Sequence, residues 1–98
     1  MASVEDEFRP KNIGHGGILM LRPTDALSMI LRCRDLQILV LGIDAFILTE
    51  HTTQPVMEHS VDLSDYAQGD SWTLAEKFLR KRMDKGFVFE IVVPAQYQ

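Results

Sequence analysis

The sequence has little cysteine, little proline and no long apolar run. Of its 98 residues, one is cysteine and four are proline. A single cysteine, Cys33, cannot form a disulfide within the chain, so stability has to come from one packed core. The longest nearly uncharged run, residues 36–43, is far shorter than the about 20 residues of a membrane-spanning helix. We therefore expect no membrane association. The acidic first residues lack the features of a secretory signal, which predicts a cytoplasmic location.

The motifs of well-defined catalytic mechanisms are also missing. The sequence contains no P-loop, no Gly-x-Gly-x-x-Gly, no Cys-x-x-Cys and no Gly-x-Ser-x-Gly. No nucleophile elbow accompanies the glycine cluster at residues 14–17, so we interpret the cluster as a linker. In the pairs Glu50-His51 and Glu58-His59, neighbouring strand residues point to opposite faces, and neither pair can hold a metal alone. We expect no catalytic residues, no metal site and no cofactor.

The sequence does contain a regular succession of strand and helix patterns. Residues 1–16 lack periodicity and predict a flexible lead-in, which leaves residues 17–98 for a single α+β domain. Gly86 is expected to be a left-handed cap at the end of the second helix. The expected elements are a strand at 18–22, a helix at 24–34, a long strand at 37–49, an antiparallel strand at 56–63, a helix at 71–85 and a strand at 87–93.

This β-α-β-β-α-β order predicts a ferredoxin-like two-layer sandwich. In that arrangement a four-stranded sheet carries both helices on one face. A mixed sheet whose first two strands are parallel neighbours is the main alternative, because strand order cannot be deduced from periodicity.

Positive charge is distributed unevenly along the chain. Residues 35–76 contain no lysine or arginine but eight acidic residues, whereas residues 77–85 contain five basic residues. Such an acidic segment would steer the domain toward a positively charged protein and away from nucleic acid. The structural alternative is that the acids only solvate the hairpin while the basic residues complement the helix dipole.

The candidate partner-binding residues lie in the segment 44–70. Tyr66 is a possible aromatic anchor in a turn-rich stretch. Asp44 interrupts an apolar run in which an unpaired carboxylate is costly to bury, so it has either a structural hydrogen-bonding role or a partner contact. Cys33 is either a core residue or an activated thiol. The full candidate set is Asp44, Glu50, Glu58, Asp62, Asp65 and Tyr66.

Three short segments carry a resemblance to a known family. They are Asp25-Ala26-Leu27, Ile38-Leu39-Val40-Leu41-Gly42-Ile43-Asp44 and Ser71-Trp72. Over residues 24–80 this succession resembles the small bacterial polymorphic-toxin immunity proteins, although Ile43 stands where the family pattern has a second glycine. The resemblance implies a cytoplasmic inhibitor that occludes a cognate toxin, and no site residue is transferred from the family.

Two other functions stay open. One is a small-ligand-binding or enzymatic domain with a pocket near Asp44, His59 and Glu90. The other is a structural homo-oligomer that pairs sheet faces or edges through the apolar residues 87–93. Convergence of the three polar groups in one pocket would favour the first alternative, and the mass in solution tests the second.

Overall fold

The computed structural model describes residues 3–65 and 70–98. These residues form an α+β fold with a four-stranded antiparallel sheet, which confirms the predicted class. The helices and strands are α1 (Val4–Phe8), α2 (Pro23–Asp35), β1 (Gly42–Leu48), β2 (Thr53–Pro55), β3 (Val61–Asp62), α3 (Asp70–Arg80) and β4 (Val88–Val92). Short 3-10 turns lie at Arg9–Lys11, Met57–His59 and Ala95–Tyr97. Within the two described ranges, no helix has the length and apolarity to span a bilayer.

The central strand of the sheet is β1. It pairs with β4 along one edge, and along its other edge it pairs with β3 near its start and with β2 near its end. All of these pairs are antiparallel. The free edge of β4 carries an isolated antiparallel bridge to Leu21, in which Leu21 and Phe89 exchange two backbone hydrogen bonds of 2.8 and 2.9 Å. At this position β4 is therefore not an open edge strand.

The ferredoxin-like strand order and the pair of helices are not confirmed. A third helix, α1, is present, and the predicted strand at 18–22 contributes only the bridge at Leu21. The preceding residue bonds elsewhere: the N–H of Met20 donates to Asn12 Oδ1, and its carbonyl accepts from the N–H of Ile13, each at 3.0 Å. Because Pro23 then begins α2, the segment cannot extend the ladder along β4.

Helix α1 lies within residues 1–16, where the lack of periodicity predicts a flexible lead-in. Ser3 and Asp6 form a capping box, in which the N–H of Asp6 donates to Ser3 Oγ and the N–H of Ser3 donates to Asp6 Oδ2. Val4 is 2 % exposed and packs in the core. The Ser-x-x-Asp spacing is a signal that could have predicted this helix start.

Helices α2 and α3 pack against one face of the sheet. Because side chains alternate along a strand, Ile43 and Ala45 of β1 point to the same face as their neighbours on β4. The indole Nε1 of Trp72 donates to the carbonyl of Ile38 at 2.7 Å, which fixes α3 to the connection between α2 and β1. The core on this face includes Ala26, Met29, Ile30, Cys33, Trp72, Ala75, Leu79, Phe89 and Ile91. The core position for Cys33 is thus confirmed.

The predicted strand at 56–63 is interrupted, which corrects the expected continuous hairpin. The 3-10 turn at Met57–His59 separates β2 from β3. Across this interruption the hydroxyl of Ser60 accepts from the N–H of Ala45 and donates to the carbonyl of Val56, both at 2.9 Å. The side chain of Ser60 thereby replaces the strand pairing that β1 loses at the turn.

The predicted helix at 71–85 ends at Arg80 instead. The guanidinium of Arg82 folds back, stacks 3.7 Å from the centre of the Phe78 ring and donates through Nη1 to the Phe78 carbonyl. That carbonyl would accept from the N–H of Arg82 in a continuing helix. Instead, the N–H of Arg82 donates to the carbonyl of Leu79, three residues earlier in the chain. Gly86 lies beyond the turn that follows α3, and it has the predicted left-handed conformation, with φ of 82°.

Candidate functional site

The sheet face opposite α2 and α3 carries a mixture of apolar and acidic side chains. Strand register places Asp44 opposite Glu90 and Phe46 opposite Val88 on this face. At one end, Met20 packs on Phe46 and Val88, with Ile13 and Leu48 around them. The other end, at the start of β1, opens into a pocket.

This hairpin pocket lies where β1, β3 and the 3-10 turn meet. Its volume is about 280 Å³. Gly42 contributes no side chain, and a Cβ there would lie 2.8 Å from the carbonyl oxygen of Val61, so only glycine allows this close approach. Met57 is 76 % exposed at its rim. The lining residues are Leu41, Gly42, Asp44, Met57, Ser60, Val61, Asp62 and Val92.

One acidic group of the hairpin pocket is held in its ionised form. The carboxylate of Asp62 accepts from the hydroxyl of Ser64 at 2.6 Å and from the N–H of Ser64 at 2.9 Å. These two hydrogen bonds lower the pKa of Asp62 below its usual value of 3.8. The pocket therefore presents a fixed negative charge at neutral pH, with the Asp44 carboxyl on the same lining.

The other acidic group, Asp44, has a titratable neighbour in Glu90. Burial, followed by the nearby charges of Asp44 and Glu5, raises the pKa of the Glu90 carboxyl to about 7. The Glu90 carboxyl can therefore hold or release one proton near neutral pH. Glu90 itself is not part of the pocket lining.

The structure does not bring His59 to this carboxyl pair. The imidazole of His59 lies 4.8 Å from the Phe87 ring, measured between centroids, and its Nδ1 accepts from Nε of Arg82 at 3.2 Å. Of the three groups considered for a ligand pocket, Asp44 and Glu90 are neighbours, whereas His59 is bound to the segment after α3.

The other candidate residues lie along the hairpin rather than in the pocket. Glu50 is in the turn after β1, where its carboxylate is 4.0 Å from Nε2 of His51. Glu58 is in the 3-10 turn and Asp65 follows β3, and both are exposed. Tyr66 lies outside the described residues. The candidate set thus divides into two pocket residues, Asp44 and Asp62, and three acids spread over the hairpin surface.

None of these acids is paired with lysine or arginine within the described part of the chain. The arginine ion pairs there involve acids on the helices instead. Glu76 binds both Arg34 and Arg80, at 3.8 and 2.9 Å, and Arg32 binds Glu7 at 3.0 Å. The basic segment at 77–85 therefore does not neutralise the hairpin.

Sequence reasoning missed two contributors to the pocket. Met57 and Ser60 were expected at regular positions of a continuous strand, and their places depend on the 3-10 turn. The alternation of the predicted strand offered no signal for that turn. The contact between Asp44 and Glu90 likewise depends on β4 being the neighbour of β1, which periodicity cannot show.

The described residues offer little to hold a metal ion. Across residues 3–65 and 70–98, no group of three or more His, Cys, Asp or Glu side chains has a suitable arrangement. The surface features with chemical character are thus the hairpin pocket and the acids around it. No protein-family model and no curated protein matches this sequence.

Proposed function

We propose that this domain is a non-enzymatic protein-binding module whose acidic arm contacts a positively charged protein. The acidic arm is defined as the hairpin segment 44–65, with Asp44, Glu50, Glu58, Asp62 and Asp65 as its acids. The observation that carries this proposal is that these acids have no lysine or arginine partner among the described residues. Acids without intramolecular partners keep their field and accelerate encounter with a basic surface.

The engagement of the basic residues elsewhere supports the same conclusion. Arg80 is bound by Glu76, and Arg82 by His59 and the Phe78 ring. A charge distribution that served only to solvate the surface would gain by pairing acids with these bases, and among the described residues no arm acid forms an ion pair with them. Together with the resemblance to bacterial immunity proteins, this favours a basic toxin as the partner and the cytoplasm as the place of action.

The proposal is tested by a charge-neutral arm. A variant carrying Glu50→Gln, Glu58→Gln and Asp65→Asn removes three exposed acids without changing side-chain size. The full-length chain is used to isolate a partner from its source organism, and the complex is then rebuilt from the two purified proteins. We expect the arm variant to raise the dissociation constant by about tenfold or more. The affinity of the wild-type protein should fall as the salt concentration rises.

A matched control separates the arm from overall charge. The control carries Asp25→Asn, Asp35→Asn and Asp84→Asn, which changes the net charge equally but lies outside the arm. We expect it to bind like the wild type. Equal losses in the two triple variants, or an arm variant with unchanged affinity, would overturn the proposal.

A further inference from the structure

The hairpin pocket combines an apolar wall with an acidic end. Leu41, Val92 and the exposed Met57 supply the apolar lining, and Asp44 and Asp62 supply the carboxylates. Ser60 also lines the pocket, but its hydroxyl is already engaged by Ala45 and Val56. The only polar side-chain groups left for a ligand in this lining are thus the two carboxyl groups.

The spacing of the two carboxylates follows from strand register. Gly42 is directly opposite Asp62, and Asp44 is two residues further along β1 on the same face. The Cα atoms of diagonal neighbours of this kind are about 7–8 Å apart. A planar guanidinium has N–H groups on opposite sides and can donate to two carboxylates across such a gap. Because Gly42 lies between them, no side chain fills the space.

We propose that this pocket takes one arginine side chain of the basic partner, with the guanidinium between Asp44 and Asp62 and the carbon stem against Met57. This inference rests on the proposed function and adds the residue that the site recognises. The stem of arginine packs on apolar surface while its charged end stays polar. The unbranched thioether of Met57 adapts to such a stem. Charge complementarity selects a cationic occupant, and the diagonal spacing selects the guanidinium over a compact ammonium group.

The experiment uses the full chain and a minimal probe. N-acetyl-arginine amide is titrated into the ¹⁵N-labelled protein, and N-acetyl-citrulline amide, which has nearly the same shape but no charge, is the reference ligand. We expect saturable shifts of the Gly42, Asp44 and Asp62 amide signals with the arginine probe only. Shifts that do not saturate, or that are equal with citrulline, would overturn the inference.

Single substitutions then assign the contacts. Asp44→Asn and Asp62→Asn should each weaken probe binding by about fivefold or more, because each removes a charged acceptor. Asp84→Asn makes the same charge change at an exposed position outside the pocket and the arm, and it should leave the affinity unchanged. Met57→Lys places a competing cation at the rim, at an exposed position where folding is not at stake, and should abolish binding. Unchanged affinity in the two pocket variants, or an equal loss in Asp84→Asn, would contradict the inference.

The two proposals fail in different ways. If the rebuilt complex depends on Glu50, Glu58 and Asp65 but not on Asp44, Asp62 or Met57, the arginine pocket is wrong and the protein-binding function stands. If the pocket binds the arginine probe but the arm variant binds its protein partner normally, the acidic-arm function is wrong and the pocket stands.

Discussion

Glu90 is a residue whose ionisation depends on the fold. Its carboxyl lies opposite Asp44 across β1 and β4, and burial, followed by the charges of Asp44 and Glu5, raises its pKa from 4.5 to about 7. Between these two values the native protein keeps a proton that the unfolded chain has released. Raising the pH through this window therefore lowers the free energy of unfolding, and the loss is complete above the native pKa.

We expect this loss to be about 1–2 kcal/mol between about pH 5 and pH 8, less than the full shift implies because the side chain is partly solvated. Glu90→Gln keeps a hydrogen-bond donor beside Asp44 and should remove this part of the pH dependence. Urea unfolding of both proteins across the pH range measures it. The control Glu50→Gln, at a side chain 88 % exposed, should follow the wild-type curve. Parallel curves for Glu90→Gln and the wild type would contradict the prediction.

Gly42 is a second residue whose identity is dictated by its surroundings. A Cβ at this position would lie 2.8 Å from the backbone carbonyl of Val61, and backbone cannot move aside as a flexible side chain can. Gly42→Ala should therefore push β1 and β3 apart and lower the free energy of unfolding by about 1–3 kcal/mol. Urea denaturation measures the change.

A matched glycine serves as the control for this substitution. Around Gly16 no atom lies within 4 Å of an added Cβ, so Gly16→Ala should change stability by less than about 1 kcal/mol. A loss at Gly42 no larger than that at Gly16 would show that the strands accommodate the methyl group.

Among the secondary-structure elements, the interrupted hairpin depends on the hydroxyl group of Ser60. Ser60 satisfies the N–H of Ala45 and the carbonyl of Val56 at the point where the 3-10 turn leaves β1. Ser60→Ala leaves both partners without this bond and should cost about 1–3 kcal/mol. Amide exchange at Ala45 should become faster. Ser28→Ala removes an exposed hydroxyl bond on α2 and should have little effect on stability. Unchanged exchange at Ala45 would argue against this role.

The predictability of these elements follows the range of the interactions that form them. Apolar periodicity predicted α2, the core face of α3 and the strands β1 and β4, because each buries a regular stripe. The 3-10 turn at Met57–His59 depends on the bond between Ser60 and Ala45, which are 15 residues apart, and the early end of α3 depends on Arg82 reaching His59, 23 residues away. No local pattern records such contacts.

The candidate site was predictable to a similar degree. The acidic character of the hairpin is evident from the sequence, because residues 35–76 contain no lysine or arginine. Which of these acids share a pocket depends on the pairing of β1 with β3, which brings Asp44 and Asp62 to one lining. His59, which the alternative ligand pocket placed with Asp44 and Glu90, is held elsewhere by Arg82. Composition thus identified the segment, and strand pairing selected the residues within it.

The molecule as a whole has its main core on one side of its sheet, a smaller apolar cluster on the other side, and the acids of the arm around the hairpin. The helices α2 and α3 bury their apolar stripes on the first face, whereas the hairpin pocket opens beside the second. Substitutions at the exposed arm acids can therefore be made without disturbing the core, since surface changes away from such packing usually alter stability by less than about 0.5 kcal/mol. Stability and partner affinity should be separable in this protein.

The burial of Cys33 gives this molecule an internal chemical reporter. Its thiol is the only one in the chain and is fully buried, and burial, with the charges of Glu7 and Glu5, raises its pKa to about 12. Alkylation requires a thiolate in contact with the reagent, so iodoacetamide should modify Cys33 only in molecules whose core has opened. We expect the labelling rate, followed by mass spectrometry, to rise with urea in parallel with unfolding. Rapid labelling without urea would mean that α2 separates from the sheet on its own.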